Sequence, residues 1–283
     1  MLLALAALWG GSFLFIKVAV DELGPVALAC GRVLLAAAAL VVLTRARARG
    51  TRPPWKWVAL GAINASAPFV LIGFAEGRIG ASLAAILNAA TPLFSALVAG
   101  DPLTRRRLAG LVTGMGGVAL VVGLAPVDLS GHFLVGAAAS LGAALCYAIG
   151  TTYVRRSFSG MAPATLALGQ QLGAGVVLLP FVALAPPHAP NAGDLAALAA
   201  LAIPCTAVAY LLYFRLVAQV GPTSTLTVTM LVPVFGVLWA AVFLGEHVGI
   251  GTIVGGVVVL GSVRLVTGQA APDRARESAP AAP

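Results

Sequence analysis

The sequence predicts an all-α polytopic membrane protein, with ten transmembrane helices arranged as two inverted five-helix repeats. Three observations predict it. The first is composition: of 283 residues, 60% are hydrophobic and only 9% charged, and the mean hydropathy is +1.02. Soluble domains run at about 45–50% apolar and about 25% charged. A soluble core cannot bury such an excess and still cover itself with polar groups. A secreted enzyme, a cytosolic cofactor enzyme and a transcription factor are excluded. The second observation is a succession of apolar runs of membrane-crossing length. The third is that the two halves of the chain resemble each other.

A spanning helix needs about 20 apolar residues. Pro, Gly and charge clusters divide the chain into such runs at 2–20, 25–43, 55–74, 80–99, 108–124, 133–153, 163–184, 195–214, 223–244 and 249–266. The intervening loops are short. The first run starts at Met1 with no basic segment before it, so it reads as a spanning helix rather than a cleaved signal. Residues 268–283 are Pro, Ala and charge, and are expected to be a disordered cytoplasmic tail. Cys30, Cys146 and Cys205 fall inside apolar runs without metal-site or disulfide spacing, so they read as packing residues. No metal or cofactor is expected.

The net charge of +8 and pI near 10.3 would suit a nucleic-acid partner if the basic residues formed a patch. They do not. With the N-terminus inside, the inner loops hold Arg45, Arg47, Arg49, Arg52, Lys56, Arg105, Arg106, Arg107, Arg155, Arg156, Arg215, Arg264, Arg274 and Arg276. The outer loops hold Arg78 alone. Asp21, Glu22, Glu76, Asp128, Asp194 and Glu246 fall outside. This bias puts both termini in the cytoplasm and the protein in the cell (inner) membrane. The bilayer, not nucleic acid, is the expected partner; the sequence leaves the oligomeric state open.

The self-resemblance sets Gly80 on Gly221, Pro92 on Pro233, Phe94 on Phe235, Gly110 on Gly255 and Gly116 on Gly261. Earlier in each half it sets Lys17 on Arg155, Pro25 on Pro163, Gly31 on Gly169 and Arg32 on Gln170. The expected units are residues 1–125 and 131–267. Each has an odd number of spans, so the second copy enters the membrane from the opposite side. Inverted repeats meeting at a midplane site are a common build of secondary transporters.

Several segments are also familiar. The opening ALWGGSFLFIKVAVDELGPVALACGRVLLAA, NAATPLF (88–94) and MLVPVFGVLWAAVFLGEHV (230–248) resemble the EamA-type permeases of the drug/metabolite transporter superfamily. Trp9–Gly10, Lys17, Arg32 and the Leu244-Gly245-Glu246 close carry the likeness, which covers about residues 4–266. It implies a ten-helix permease that moves amino acids, metabolites, nucleobases or drugs by alternating access, often as an exporter. One departure stands out. The first half closes on AGDPLTRRR, with Asp101 and Pro102 about four residues early, which leaves the fourth span about one turn short.

Ionisable residues at membrane depth are costly and are candidate functional groups. Lys17 and Arg32 qualify. Lys17 sits near the outer end of its run with Asp21 at i+4, a pairing that favours a structural role over a substrate role. Arg32 is deeper, about 10 Å from the Pro25 boundary. It is open to a substrate anion, to backbone carbonyls or to Glu76. Gln170, Trp9, Tyr147 and Asn88 are the further expected substrate-binding residues, with interhelical packing as their alternative use. Asn64, Gln171, Tyr210 and Tyr213 form a weaker polar set. Trp55 and Trp57 read as interface anchors, and Pro68, Pro92, Pro204 and Pro233 as mid-span helix breaks.

With no Asp or Glu expected at mid-membrane, the substrate expected is a small molecule with an anionic group, such as an amino acid or organic acid. A flippase for a lipid-linked or phosphate-bearing intermediate is the alternative, since it too wants basic groups. An embedded enzyme is disfavoured. His132, His188 and His247 lie at span ends or in loops, and no HExxH or paired intramembrane aspartates occur.

Overall fold

The computed structural model describes residues 1–45, 52–98, 104–123, 131–213, 215–216 and 228–267. Among them every regular element is helical. The protein is an all-helical, multi-pass membrane protein. Among the described residues, five helices are long and apolar enough to cross a bilayer, and shorter apolar helices accompany them. The elements are α1 (Leu2–Thr44), α2 (Pro54–Glu76), α3 (Ala81–Asn88), α4 (Thr91–Val98), α5 (Arg105–Gly123), α6 (Gly131–Ser157), α7 (Pro163–Val182), α8 (Ala192–Tyr213), α9 (Val228–Leu244) and α10 (Ile250–Thr267). The aligned Gly221, the Asp101–Pro102 departure and the tail fall outside the described residues.

At 43 residues α1 holds the first two expected spans, and its break is at Gly24. That residue sits at φ 69°, ψ 157°, a backbone conformation that costs glycine little and other residues more. Pro25 follows, with no N–H to continue the ladder. The break lets the two arms pack on different partners. Gly10 on the first arm lies against Phe235 and Gly236 of α9; Gly31 on the second lies against Leu198 of α8.

The prolines act unequally. Pro92 follows the break between α3 and α4. Inside α2 a π-helical segment, Ala62–Ser66, precedes Pro68, and inside α8 a second, Ile203–Val208, contains Pro204. Pro233 stays within the continuous α9. The two π segments fall in corresponding spans of the two halves, and wide turns of this kind frequently mark functional sites.

Helix pairs recur in a symmetric scheme. The first arm of α1 packs on α9, as α6 packs on α3 and α4; α2 packs on α7, as the second arm of α1 packs on α8; and α5 runs along α10. The last pair closes on small residues: Gly114 of α5 meets Ser262 of α10 as well as Leu93 of α4, and Gly117 meets Val258 and Val259. Trp57, expected as an interface anchor, is half-buried and also packs between helices. Its ring is tilted at 52° to that of Phe158 with centroids 4.7 Å apart, and it lies against Gly169 of α7. Trp55 remains exposed, with the Lys56 ammonium 5.5 Å from its ring.

Among the described glycines, the tightest backbone contacts lie between α2 and α7. A Cβ on Gly173 would land on the Trp57 carbonyl oxygen, and one on Gly61 would land on the backbone of Gly173 and Ala174. Backbone cannot swing aside as a side chain can. Gly173→Ala should therefore cost about 1–3 kcal/mol and lower the thermal unfolding midpoint in detergent. Gly116→Ala, with nothing within 4 Å, should leave that midpoint in place.

Candidate functional site

Arg32 lies on the second arm of α1 and is only 6% exposed. Its Nε donates to Thr206 Oγ1 at 2.8 Å. Arginine has no acceptor, so the Thr206 hydroxyl must accept there. Its own proton goes to the Leu201 carbonyl, five residues back and just ahead of the π segment of α8, at 2.8 Å. The wide turn thus supplies the geometry that holds Thr206 toward the guanidinium. On its other side Arg32 lies over Phe69 of α2, with its guanidinium carbon 3.7 Å from the ring centroid, a cation–π contact.

Gln170 of α7 mirrors this arrangement. It is 3% exposed, and its Oε1 accepts from Asn64 Nδ2 at 2.7 Å. Asn64 sits in the other π segment, on α2. Gln170 Nε2 donates to the Tyr210 hydroxyl of α8 at 2.9 Å. So Arg32 and Gln170 each bond to the π segment of the opposite half and each touch an aromatic residue of their own half. Trp9, on the first arm of α1, meets Tyr210 edge-on at 6.3 Å and Tyr213 tilted at 5.4 Å. Tyr147, from α6, lies within electrostatic reach of Arg32 and Tyr210.

These residues make one polar seam between the halves, walled by rings. Arg32, Gln170, Trp9 and Tyr147 gather in it. Asn88 is not joined to it: at the end of α3, its carbonyl and Oδ1 both accept from the Thr91 hydroxyl, at 2.7 and 3.1 Å, across the break. Lys17 is also separate. Among the described residues it makes no ion pair with Asp21, and its ammonium donates to the Glu76 backbone carbonyl.

Thr206 and Phe69 did not stand out in the sequence. Their signal is indirect, since Phe69 directly follows the mid-span Pro68 and Thr206 lies two residues after Pro204. Glu76 was assigned to an outer loop, and the structure corrects this by burying it completely as the last residue of α2. Glu246 is also engaged: its Oε1 accepts from the Ala81 N–H at 2.6 Å and its Oε2 from the Ser82 N–H at 3.0 Å. It caps the N-terminus of α3 from the other half of the chain.

The Asn64–Gln170–Tyr210 chain gives a direct prediction. Gln170→Ala strands the Asn64 amide in the interior, which costs about 1–3 kcal/mol. The measurement is thermal unfolding in detergent. Pairing it with Asn64→Ala in a double-mutant cycle should return a coupling of about 0.5–3 kcal/mol.

The EamA-like transporter family model matches the chain twice, over residues 1–123 and 134–268. The chain belongs to that family. It is thereby a member of the drug/metabolite transporter superfamily, as its opening and its Leu-Gly-Glu close imply. Among curated relatives, an uncharacterized transporter of Archaeoglobus fulgidus is 31% identical, covering 94% of this chain and 96% of its own. A probable terminal-alkyne amino-acid exporter of Streptantibioticus cattleyicolor is 28% identical, covering 96% and 94%. Protein PecM of Dickeya dadantii is 27% identical over 75% of this chain and 73% of its own. A solved crystal structure superposes with a TM-score of 0.68 at 17% identity, over 94% of this chain and 95% of that one, and so shares the fold.

Proposed function

We propose that this EamA transporter exports a small metabolite with an anionic group, an amino acid or organic acid, by alternating access, with Arg32 as the group that holds the anion. The observation that carries this reading is the buried guanidinium, which among the described residues makes one hydrogen bond, through Nε. Thr206 and Phe69 fix its plane, and its terminal nitrogens are left for a carboxylate, the partner its fork geometry suits best. Gln170, Trp9, Tyr147 and Tyr210 make up the rest of the seam. Two inverted five-helix units rock about this seam, in the cytoplasmic membrane, with both termini inside. The doubled family match and the symmetric helix pairs support that architecture. The relative named as an amino-acid exporter supports the substrate class.

The test is counterflow in proteoliposomes of the purified protein against a panel of radiolabelled amino acids and small carboxylic acids. Uptake of at least one acid into vesicles preloaded with its unlabelled form is expected. Uniform failure across acids, with uptake of a cation instead, would overturn the reading. Orientation is checked by a reporter in the 185–194 loop, which should report the outside.

A further inference from the structure

We propose that the Glu76 carboxyl is a proton-carrying site, with Lys17 as its counter-ion, coupled to the anion site at Arg32. The coupling part rests on the reading above; the proton site itself stands on the structure of this corner. Glu76 has no exposed surface, and both its carboxylate oxygens are buried without a hydrogen-bond donor among the described residues. Other engaged acids of this chain contrast with it. Glu246 takes two backbone N–H groups, and Asp194 Oδ2 takes the Asn191 N–H at 2.8 Å in a capping box. Both sit at helix N-termini, where negative charge is favoured. Glu76 ends α2, at the terminus where the helix dipole opposes a carboxylate.

A purely structural carboxylate would be held by donors, because a buried ionised group without them is expensive. The ammonium that reaches this residue instead passes the carboxyl by. The Lys17 ammonium donates to the backbone carbonyl of Glu76. That leaves a positive charge close to the carboxyl and both oxygens open to a proton.

The charges that act on Glu76 are Lys17 and Arg32 from α1 and Glu246 from beyond α9. Arg78, next on its own chain, is turned away: its Nη1 donates to the Phe74 carbonyl and its guanidinium lies over the Phe74 ring at 3.4 Å. From α6, Ser140 is committed to the Ala84 carbonyl, and Tyr147 faces Arg32. From α3, Ser82 brings a buried hydroxyl and no charge.

The step is a proton transfer alone. Hydronium gives a proton to a Glu76 oxygen and leaves as water, and the carboxylate becomes a neutral acid. An anion seated at Arg32 adds negative charge to the same field, so it favours protonation of Glu76. By reciprocity a protonated Glu76 favours the anion.

The test begins without substrate. Infrared difference spectra of the full chain in lipid nanodiscs, taken on acidification, should show a protonated-carboxyl band that Glu76→Gln lacks. Glu76→Asp should retain it at a shifted frequency, which identifies the residue should the Gln variant fold poorly. Wild-type and Glu76→Gln spectra that coincide, with no shift in the Asp variant, overturn the proposal. The second arm is amino-acid counterflow in proteoliposomes at acid and neutral pH. Flux through the wild type should respond to pH, and flux through Glu76→Gln should not; an equal response in both overturns the coupling. Absence of any wild-type flux defeats the transport reading alone, and the infrared band still decides the proton site.

Discussion

Replacing Arg32 with Ala is expected to abolish transport while the protein still inserts in the membrane. The side chain makes two kinds of contact that act differently on loss. Its Nε bond to Thr206 and its stack on Phe69 position it. Thr206 keeps a partner in the Leu201 carbonyl when the guanidinium goes, so no buried hydroxyl is stranded. Removing the charge also removes the desolvation cost of burying it. Folding should therefore change little. Binding should change greatly. A charge-assisted hydrogen bond is worth about 1.5–3 kcal/mol, about ten- to hundredfold in affinity for each bond lost. Arg32→Lys should rescue poorly, since an ammonium offers neither the fork nor the planar stack on Phe69. The measurement is counterflow by each variant, normalised to protein recovered from the membrane fraction. Full transport by the Ala variant would remove Arg32 from the site.

The sequence carried the positions of single residues better than their partners. Gly24 and Pro25 mark the first turn because a positive φ and a missing N–H are properties of the residues themselves. Arg32 stands out because a charge deep in an apolar run is costly wherever it points. Gln170 follows from the register of the two halves. Thr206 and Phe69 are ordinary residues in membrane spans, and their roles depend on π segments that turn them toward Arg32 and on small residues such as Gly31 that let the helices close. Hydropathy cannot show a π turn. Glu76 was misplaced for a related reason. It sits between an apolar run and a loop, and only the packing of α1 and α6 around the end of α2 makes that junction an interior. The packing of Trp57 is equally hidden in the sequence, because it depends on glycines of α7 that admit the ring.

Glu246→Ala is expected to loosen the contact between the two halves and to expose the start of α3. The carboxylate reaches from the residue after the tight Gly245 turn, at φ 65°, to the N–H groups of Ala81 and Ser82. These are among the first N–H groups of α3, which have no partners within their own helix. Neighbouring Gly80 leaves room for the approach, since a Cβ there would meet the Glu246 carboxylate. Two charge-assisted bonds at a positive helix end are at stake, about 1.5–3 kcal/mol each. Alanine forfeits both and leaves the amides to water. Glu246→Gln should fall between, because an amide oxygen still accepts one of them without the charge. The readout is thiol labelling of Ser82→Cys, a position now 6% exposed, in membranes of each background. Labelling should be slow with Glu246, faster with Gln and fastest with Ala. Equal rates in all three would mean that the carboxylate does not hold this seam, and that the Leu-Gly-Glu close serves the local turn alone.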